Sequence, residues 1–122
     1  MPTIPIDQIR DTSQAPDISC EPQSIEPRLD TETAGRLAAA LKALSHPVRL
    51  QMMDILSRGE RQVCVCDIEQ YFELTQPTIS HHLKVLRESG LIEAEQKGLW
   101  VYYYVRPTIL AEIKELLSGF GG

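Results

Sequence analysis

The sequence predicts a mainly α-helical domain that carries one β-hairpin, an α+β fold. Three observations predict it. Apolar residues recur at helical spacing in several segments after residue 32, two β-prone runs flank a glycine-containing turn, and no apolar run approaches the roughly 20 residues of a membrane-spanning helix. With 122 residues, of which 43% are hydrophobic and 24% charged, the chain is long enough for one domain with a core.

The first 31 residues differ in composition from the rest. They hold five of the eight prolines, and their six acidic and two basic residues give −4, against −1 from eleven acidic and ten basic residues in 32–122. No hydrophobic period is sustained there, so we expect residues 1–31 to be a flexible N-terminal arm that carries Cys20. The domain is expected over residues 32–118, and residues 119–122 are expected to form a tail.

Two helices are predicted at the start of the domain. Leucines at positions 37, 41 and 44 recur at i, i+4 and i+7 in a helix that begins near Glu32. Ser45 is expected to end this helix and to cap a second helix over residues 46–57, which carries Pro47 in its first turn.

A short helix, a turn and a longer helix are predicted next. The short helix should run from Asp67, which can cap its free amides, to Phe72. Thr75 can cap the longer helix, which Ser89 and Gly90 should end. This order is typical of a helix-turn-helix, in which the longer helix enters the DNA major groove.

The chain is predicted to continue with a hairpin and a last helix. Residues 91–95 and 100–105 are β-prone and flank a turn at residues 96–99. Pro107 then opens a helix with one apolar face. A hairpin after a helix-turn-helix is called a wing, so the complete order predicts a winged helix-turn-helix.

Three stretches carry a resemblance to a known family. They are VCVCDI at residues 63–68, QPTISHHLKVLRESGL at 76–91 and GLWVYY at 98–103. Over about residues 34–117 the chain resembles the ArsR/SmtB family of metalloid- and metal-sensing transcriptional repressors, and it is most similar to the arsenic-sensing members. The resemblance implies a homodimer that binds double-stranded operator DNA near its own promoter and releases it when an ion binds.

Several function classes are not expected. The N-terminus lacks the basic start, the apolar centre and the cleavage site of a secretory signal, so we expect a cytoplasmic protein without membrane association. Cysteines in that reducing compartment more often bind metal or do redox chemistry than form disulfides. The chain has no Cys-x-x-Cys pair and no candidate nucleophile–base arrangement, so we expect neither an enzyme nor an organic small-molecule substrate.

The cysteine pair is the candidate ion site. Burial is the usual state of a free cysteine, but Cys64 and Cys66 precede a helix, whose free amides favour the thiolate that binds ions. Side chains two residues apart share a side of an extended segment, whereas on a helix they point about 200° apart. If both sulfurs bind one ion, the start of this helix must therefore be extended or unwound.

The resemblance implies which ion the pair binds. The arsenic-sensing members have a third cysteine three residues after the second, where this chain has Glu69, so Cys20 of the same or the partner subunit is the remaining candidate for a third thiolate beside Cys64 and Cys66. As(III) or Sb(III), which prefer three sulfurs, is the expected inducer. Cd(II) or Pb(II) is an alternative, and so is a redox switch made by the cysteine pair.

The resemblance and the helical pattern also indicate DNA-binding and dimerisation residues. The expected DNA contacts are the polar positions of the longer helix and the wing tip: Gln76, Thr78, Ser80, His81, His82, Lys84, Arg87 and Lys97. The expected dimer contacts lie on the first and last helices: Leu37, Leu41, Ile109, Ile113, Leu116 and Leu117. The alternatives are a solvated surface for the polar set and closure of the protomer's own core for the apolar residues of the last helix.

Overall fold

The computed structural model describes residues 20–121 as five helices and three short strands. In chain order these are α1 (Thr31–Leu44), α2 (Pro47–Arg58), β1 (Val63–Cys64), α3 (Val65–Glu69), α4 (Gln76–Glu88), β2 (Ile92–Lys97), β3 (Trp100–Val105) and α5 (Pro107–Phe120). The predicted mainly α-helical winged helix-turn-helix is confirmed. The helix α5 continues two residues into the segment predicted as a C-terminal tail, and residues 1–19 of the predicted arm lie outside the described residues.

The junction between α1 and α2 differs from the prediction in one respect. Ser45 ends α1 as expected, and its hydroxyl donates to the carbonyl of Lys42 at 2.7 Å. The prediction that Ser45 also caps α2 is wrong, because its hydroxyl is bonded to Lys42 and the next residue, His46, caps α2. Nδ1 of His46 accepts the backbone N–H of Val48 at 3.1 Å.

The helix-turn-helix consists of α3 and α4. Thr75 caps α4 as predicted, and Ser89 ends it before Gly90, whose φ of 80° requires the conformational freedom of glycine. The predicted limits of α3 are wrong, since the helix begins two residues before Asp67 and the cap is Cys64. Phe72, the predicted last residue, lies beyond its end.

The predicted hairpin forms, and it belongs to a sheet with a third strand. Strands β2 and β3 pair from Ile92 opposite Val105 to Lys97 opposite Trp100. The two-residue strand β1 pairs with the other edge of β3, with Cys64 opposite Tyr102. A strand this short shows no alternation of apolar and polar residues, so the sequence did not predict it. It attaches the cysteine segment to the wing.

The core lies between α2, the helix-turn-helix and the base of the wing. Its fully buried large side chains are Met52, Ile68, Ile79, Leu83, Leu86, Leu91 and Ile92. Helices α1 and α5 cover this core, and Leu37, Ile109 and Ile113 point into it with 3%, 6% and 5% of their surface exposed. The protomer's own core thus buries these three residues, and their predicted contacts with a partner subunit stay a prediction. No helix within residues 20–121 is long and apolar enough to cross a lipid bilayer.

Gly59, the C-cap of α2, lies against β1. A Cβ atom at this position would overlap Cγ2 of Val63, a buried β-branched side chain with few alternative rotamers. We expect Gly59→Ala to lower the free energy of unfolding by about 1–3 kcal/mol in urea titrations. Gly35→Ala, where a Cβ meets no atom, should instead raise it by about 0.5–1 kcal/mol. A Gly59→Ala protein as stable as the wild type would contradict the predicted overlap.

Candidate functional site

The helix α4 has one buried apolar face and one exposed polar face. Ile79, Leu83 and Leu86 are buried at helical spacing. The exposed positions are Gln76, Thr78, Ser80, His81, Lys84 and Arg87. The structure therefore places six of the seven predicted DNA contacts of this helix on one accessible surface, which we call the recognition face.

Some residues of the recognition face already have partners. The hydroxyls of Thr75 and Thr78 share a hydrogen bond of 2.8 Å. Nζ of Lys84 lies 3.8 Å from Oε1 of Glu88, and Nε of Arg87 lies 3.4 Å from Oε1 of Glu93. Ion pairs this exposed contribute little to stability, so phosphate oxygens can replace the carboxylates at small cost.

The wing tip is exposed. Lys97 places its ammonium 5.5 Å from the ring centre of Tyr102, a cation–π contact that leaves the cation accessible. Leu99 and Trp100 are 94% and 54% exposed beside it. Trp100 pairs with Lys97 beside the turn of the hairpin, where half of its surface stays exposed.

His82 does not belong to the recognition face. Its side chain is only 7% exposed, its ring centre lies 4.5 Å from that of His46, and its Nδ1 lies 3.1 Å from Nη1 of Arg49. The structure therefore places this ring against α2, and the predicted DNA contact at His82 stays a prediction. His82 follows Ile79 by three residues, so the helical period turns it toward α2 and not toward solvent. That spacing was the available sequence signal.

The cysteine pair spans the boundary between β1 and α3. Cys64 is extended, with φ −66° and ψ 142°, whereas Cys66 lies in the first turn of α3. The backbone N–H of Cys66 donates to Sγ of Cys64 at 3.4 Å. Cys64 is buried and Cys66 partly exposed. The start of the segment is thus extended, as binding of one ion by both sulfurs requires.

The thiol of Cys66 is in contact with Cys64. A hydrogen bond to the Cys64 side chain raises the pKa of Cys66, and burial and the Asp67 carboxylate raise it further. The expectation that the helix N-terminus favours the thiolate is wrong for Cys66 in this structure, because the neighbouring sulfur and carboxylate oppose its ionisation. Binding an ion here must first displace the shared proton.

The third predicted sulfur is apart from the pair. Cys20 is exposed, at the first residue that the structure describes. Within residues 20–121, no three side chains of histidine, cysteine, aspartate or glutamate come together as a metal site. The structure thus brings together Cys64 and Cys66 but does not bring Cys20 to them.

Comparisons with known proteins identify related regulators. Residues 46–94 match the family model described as bacterial regulatory protein, arsR family. The arsenical resistance operon repressor of Bacillus subtilis (strain 168) is 46% identical over 78 residues, which cover 63% of this chain and 70% of that protein. A solved structure described as a possible transcriptional regulator for arsenical resistance has a TM-score of 0.61 and 29% identity, covering 67% of this chain and 83% of that one.

A second solved structure describes an assembly. It is a homodimeric winged helix-turn-helix DNA-binding domain from Mycobacterium bovis, a possible ArsR-family regulator, with a TM-score of 0.59 and 25% identity, covering 80% of this chain and 91% of that one. The family match at residues 46–94 contains the cysteine pair and the whole helix-turn-helix.

The sulfur of Cys64 should be replaceable by an oxygen that caps α3 equally well. We expect Cys64→Ser to keep the free energy of unfolding close to that of the wild type, because serine is a preferred N-cap residue. Cys64→Val, which fills similar space without an acceptor, should lower it by about 1 kcal/mol. Urea titration of both variants tests this, and equal stability of wild type and Cys64→Val would mean that the sulfur does not hold the helix.

Proposed function

Since this chain belongs to the ArsR family of DNA-binding transcriptional repressors, which are not enzymes, we propose that it binds its operator as a homodimer and releases it when As(III) or Sb(III) binds its cysteine thiolates. The position of Cys64 carries this proposal. Its sulfur caps α3 of the helix-turn-helix, and its backbone pairs with β3 of the wing. An ion on Cys64 would act on both DNA-binding elements together.

The recognition face would enter the major groove. Gln76, Thr78 and Ser80 lie in the first turns of α4, from which side chains reach base edges, and His81 lies beside them. The cations Lys84 and Arg87 lie further along the helix, where they would contact phosphates. Lys97 at the wing tip would contact the adjacent backbone or minor groove.

A second subunit would contact the outer surface of α1 and α5. Leu117 and Phe120 are 51% and 72% exposed, and Leu41 and Leu116 are partly buried beside the core. Both helices pack on the core through Leu37, Ile109 and Ile113. Their remaining apolar residues are therefore available to a partner subunit. Two recognition helices related by symmetry would double the DNA contacts of a nearly neutral domain.

The protonated state of Cys66 favours arsenic and antimony as inducers. Arsenous acid, As(OH)₃, forms one As–S bond and breaks one As–O bond with each thiol, and the thiol proton leaves with the hydroxyl as water. Cd²⁺ and Pb²⁺ must instead release each thiol proton to solvent, so the raised pKa of Cys66 lowers their affinity at neutral pH. The same condensation applies to Sb(OH)₃.

Cys20 is the proposed third ligand, because soft trivalent ions prefer three sulfurs. It lies ten residues before Asp30, the cap of α1, and ten residue steps of extended chain span up to about 35 Å. This exceeds the diameter of a small domain, roughly 30 Å. The chain is therefore long enough to bring Cys20 to the pair in its own subunit or in a partner.

Ion binding would change the start of α3. Bonds from both sulfurs to one ion would replace the hydrogen bonds that Cys64 accepts from the Cys66 amide and thiol. The helix α3 packs on the core through Ile68, which is fully buried in the same core cluster as the apolar face of α4. A change at its first turn would therefore displace α4 relative to the wing, and the operator would be released.

The proposed sensing is tested by operator release from the purified dimer, titrated with arsenite, antimonite, cadmium, lead, zinc and peroxide. We expect arsenite and antimonite to release wild-type protein, and Cys20→Ser, Cys64→Ser and Cys66→Ser each to raise the half-maximal concentration at least about tenfold, since a thiolate is lost from a soft-ion site. Cys64→Ser is the most informative variant, because it removes the thiolate while the serine hydroxyl keeps the cap of α3.

Each alternative gives a different result in this titration. A normal response of Cys20→Ser would leave a site of two sulfurs, and release by cadmium or lead alone would identify a sensor of those ions. Release by peroxide alone would make the pair a redox switch and would contradict ion sensing.

The proposed dimer interface predicts a difference between two exposed leucines. Leu117→Glu on α5 should convert the dimer to a monomer and lower operator affinity at least about tenfold, because a carboxylate would be buried between subunits. Leu50→Glu on α2, where leucine is 54% exposed, is the matched control and should stay dimeric. Light scattering and operator titration measure both, and a dimeric Leu117→Glu protein would place the interface elsewhere.

A further inference from the structure

Arg49 connects three helices beneath the recognition face. From α2, its Nε donates to the carbonyl of Ala43 in the last turn of α1 at 2.6 Å. Its Nη1 lies 3.1 Å from Nδ1 of His82 on α4. Because a guanidinium has only donors, Nδ1 of His82 must be the acceptor. One side chain therefore joins the end of α1 to the recognition helix.

This arrangement requires a neutral His82. A protonated imidazole has no lone pair for Arg49 and would repel it. Within residues 20–121, the charged and titratable groups that act on His82 are Arg49 from α2, His46 from the α2 cap and His81 from α4, all of them bases. Burial first, and then these neighbours, lower the pKa of His82, so the ring is neutral near pH 7.

We propose that Arg49 is a positioning residue for operator binding, which sets the orientation of α4 through Nδ1 of His82. His82 directly follows His81 and lies two residues after Ser80, both on the recognition face. A small rotation of α4 about its axis would move those side chains relative to the bases. The proposal depends on DNA binding by this fold and is independent of the inducer ion.

The proposal gives operator affinity a defined dependence on pH. As the pH falls through the lowered pKa of His82, the ring gains a proton and loses its hydrogen bond to Arg49. The bond that sets the orientation of α4 is then absent. Affinity then decreases on acidification. An exposed histidine beside phosphates has the opposite effect, since its protonation adds an attractive charge. The sign therefore distinguishes loss of the bond between Arg49 and His82 from a direct contact of a protonated ring with phosphate.

The experiment compares operator affinity of wild type and His82→Asn from about pH 8 to about pH 5.5. Asparagine places an acceptor oxygen near the position of Nδ1 and does not titrate. The operator affinity of His82→Asn near pH 8 should stay within about threefold of wild type. The ratio of wild-type to variant affinity should fall about tenfold toward the acid end. His46 and His81 are present in both proteins, so the comparison isolates the substitution at position 82.

Arg49→Met gives a second readout. It should lower affinity about tenfold near pH 8 while leaving the salt dependence of binding unchanged, because Arg49 acts through His82 and not on a phosphate. In the His82→Leu background, Arg49→Met should lower operator affinity little further, because the acceptor Nδ1 is already absent. Circular dichroism and thermal unfolding establish the folded fraction of each variant.

Three results would overturn the proposal. Parallel pH profiles for wild type and His82→Asn would show that His82 does not control α4. Wild-type affinity of folded Arg49→Met would show that its bonds only stabilise the domain. If the slope of log affinity against log salt concentration were smaller by about one in Arg49→Met, Arg49 would contact a phosphate. Where Arg49→Met fails to fold, the pH profile of His82→Asn decides alone. None of these results bears on ion sensing, which the operator-release titration tests separately.

Discussion

Burial of the apolar face of α4 is the interaction on which the rest of this structure depends. Ile79, Leu83 and Leu86 insert into a core shared with α1, α2 and the base of the wing. Each side chain of this size contributes about 1.5–3 kcal/mol when it leaves water. Once this face is buried, the helical period determines which polar residues point outward. The recognition face is therefore a consequence of core packing.

The two-residue strand β1 connects the cysteine pair to both the helix-turn-helix and the wing. Its backbone pairs with β3, and its last residue, Cys64, caps α3. An N-terminal cap contributes about 1 kcal/mol, and the free energy of folding of a domain is only about 5–15 kcal/mol. A ligand that changes this small element can therefore alter the orientation of α3 at modest cost, and its effect reaches the wing through the same residue.

Two side chains show that the helical pattern alone does not determine ionisation. Cys66 lies at a helix N-terminus, where the local sequence favours a thiolate, yet contact with Cys64 raises its pKa. His82 lies in a polar run of the recognition helix, yet burial against Arg49 and His46 lowers its pKa. The first cause for Cys66 is a hydrogen bond to a side chain two residues away, and the first cause for His82 is burial. The proposed choice of ion uses the first shift, and the proposed pH dependence of operator binding uses the second.

The sequence by itself determined the order of elements, the winged helix-turn-helix and the outward face of most of α4, because apolar period, the cap at Thr75 and the turn glycines Gly90 and Gly98 are local signals. It also identified the cysteine pair and the family that this pair resembles. Only the tertiary structure decided that β1 joins the wing, that His82 packs against Arg49, and that the protomer's own core buries Leu37. These features depend on contacts between residues distant in sequence, which no local period records.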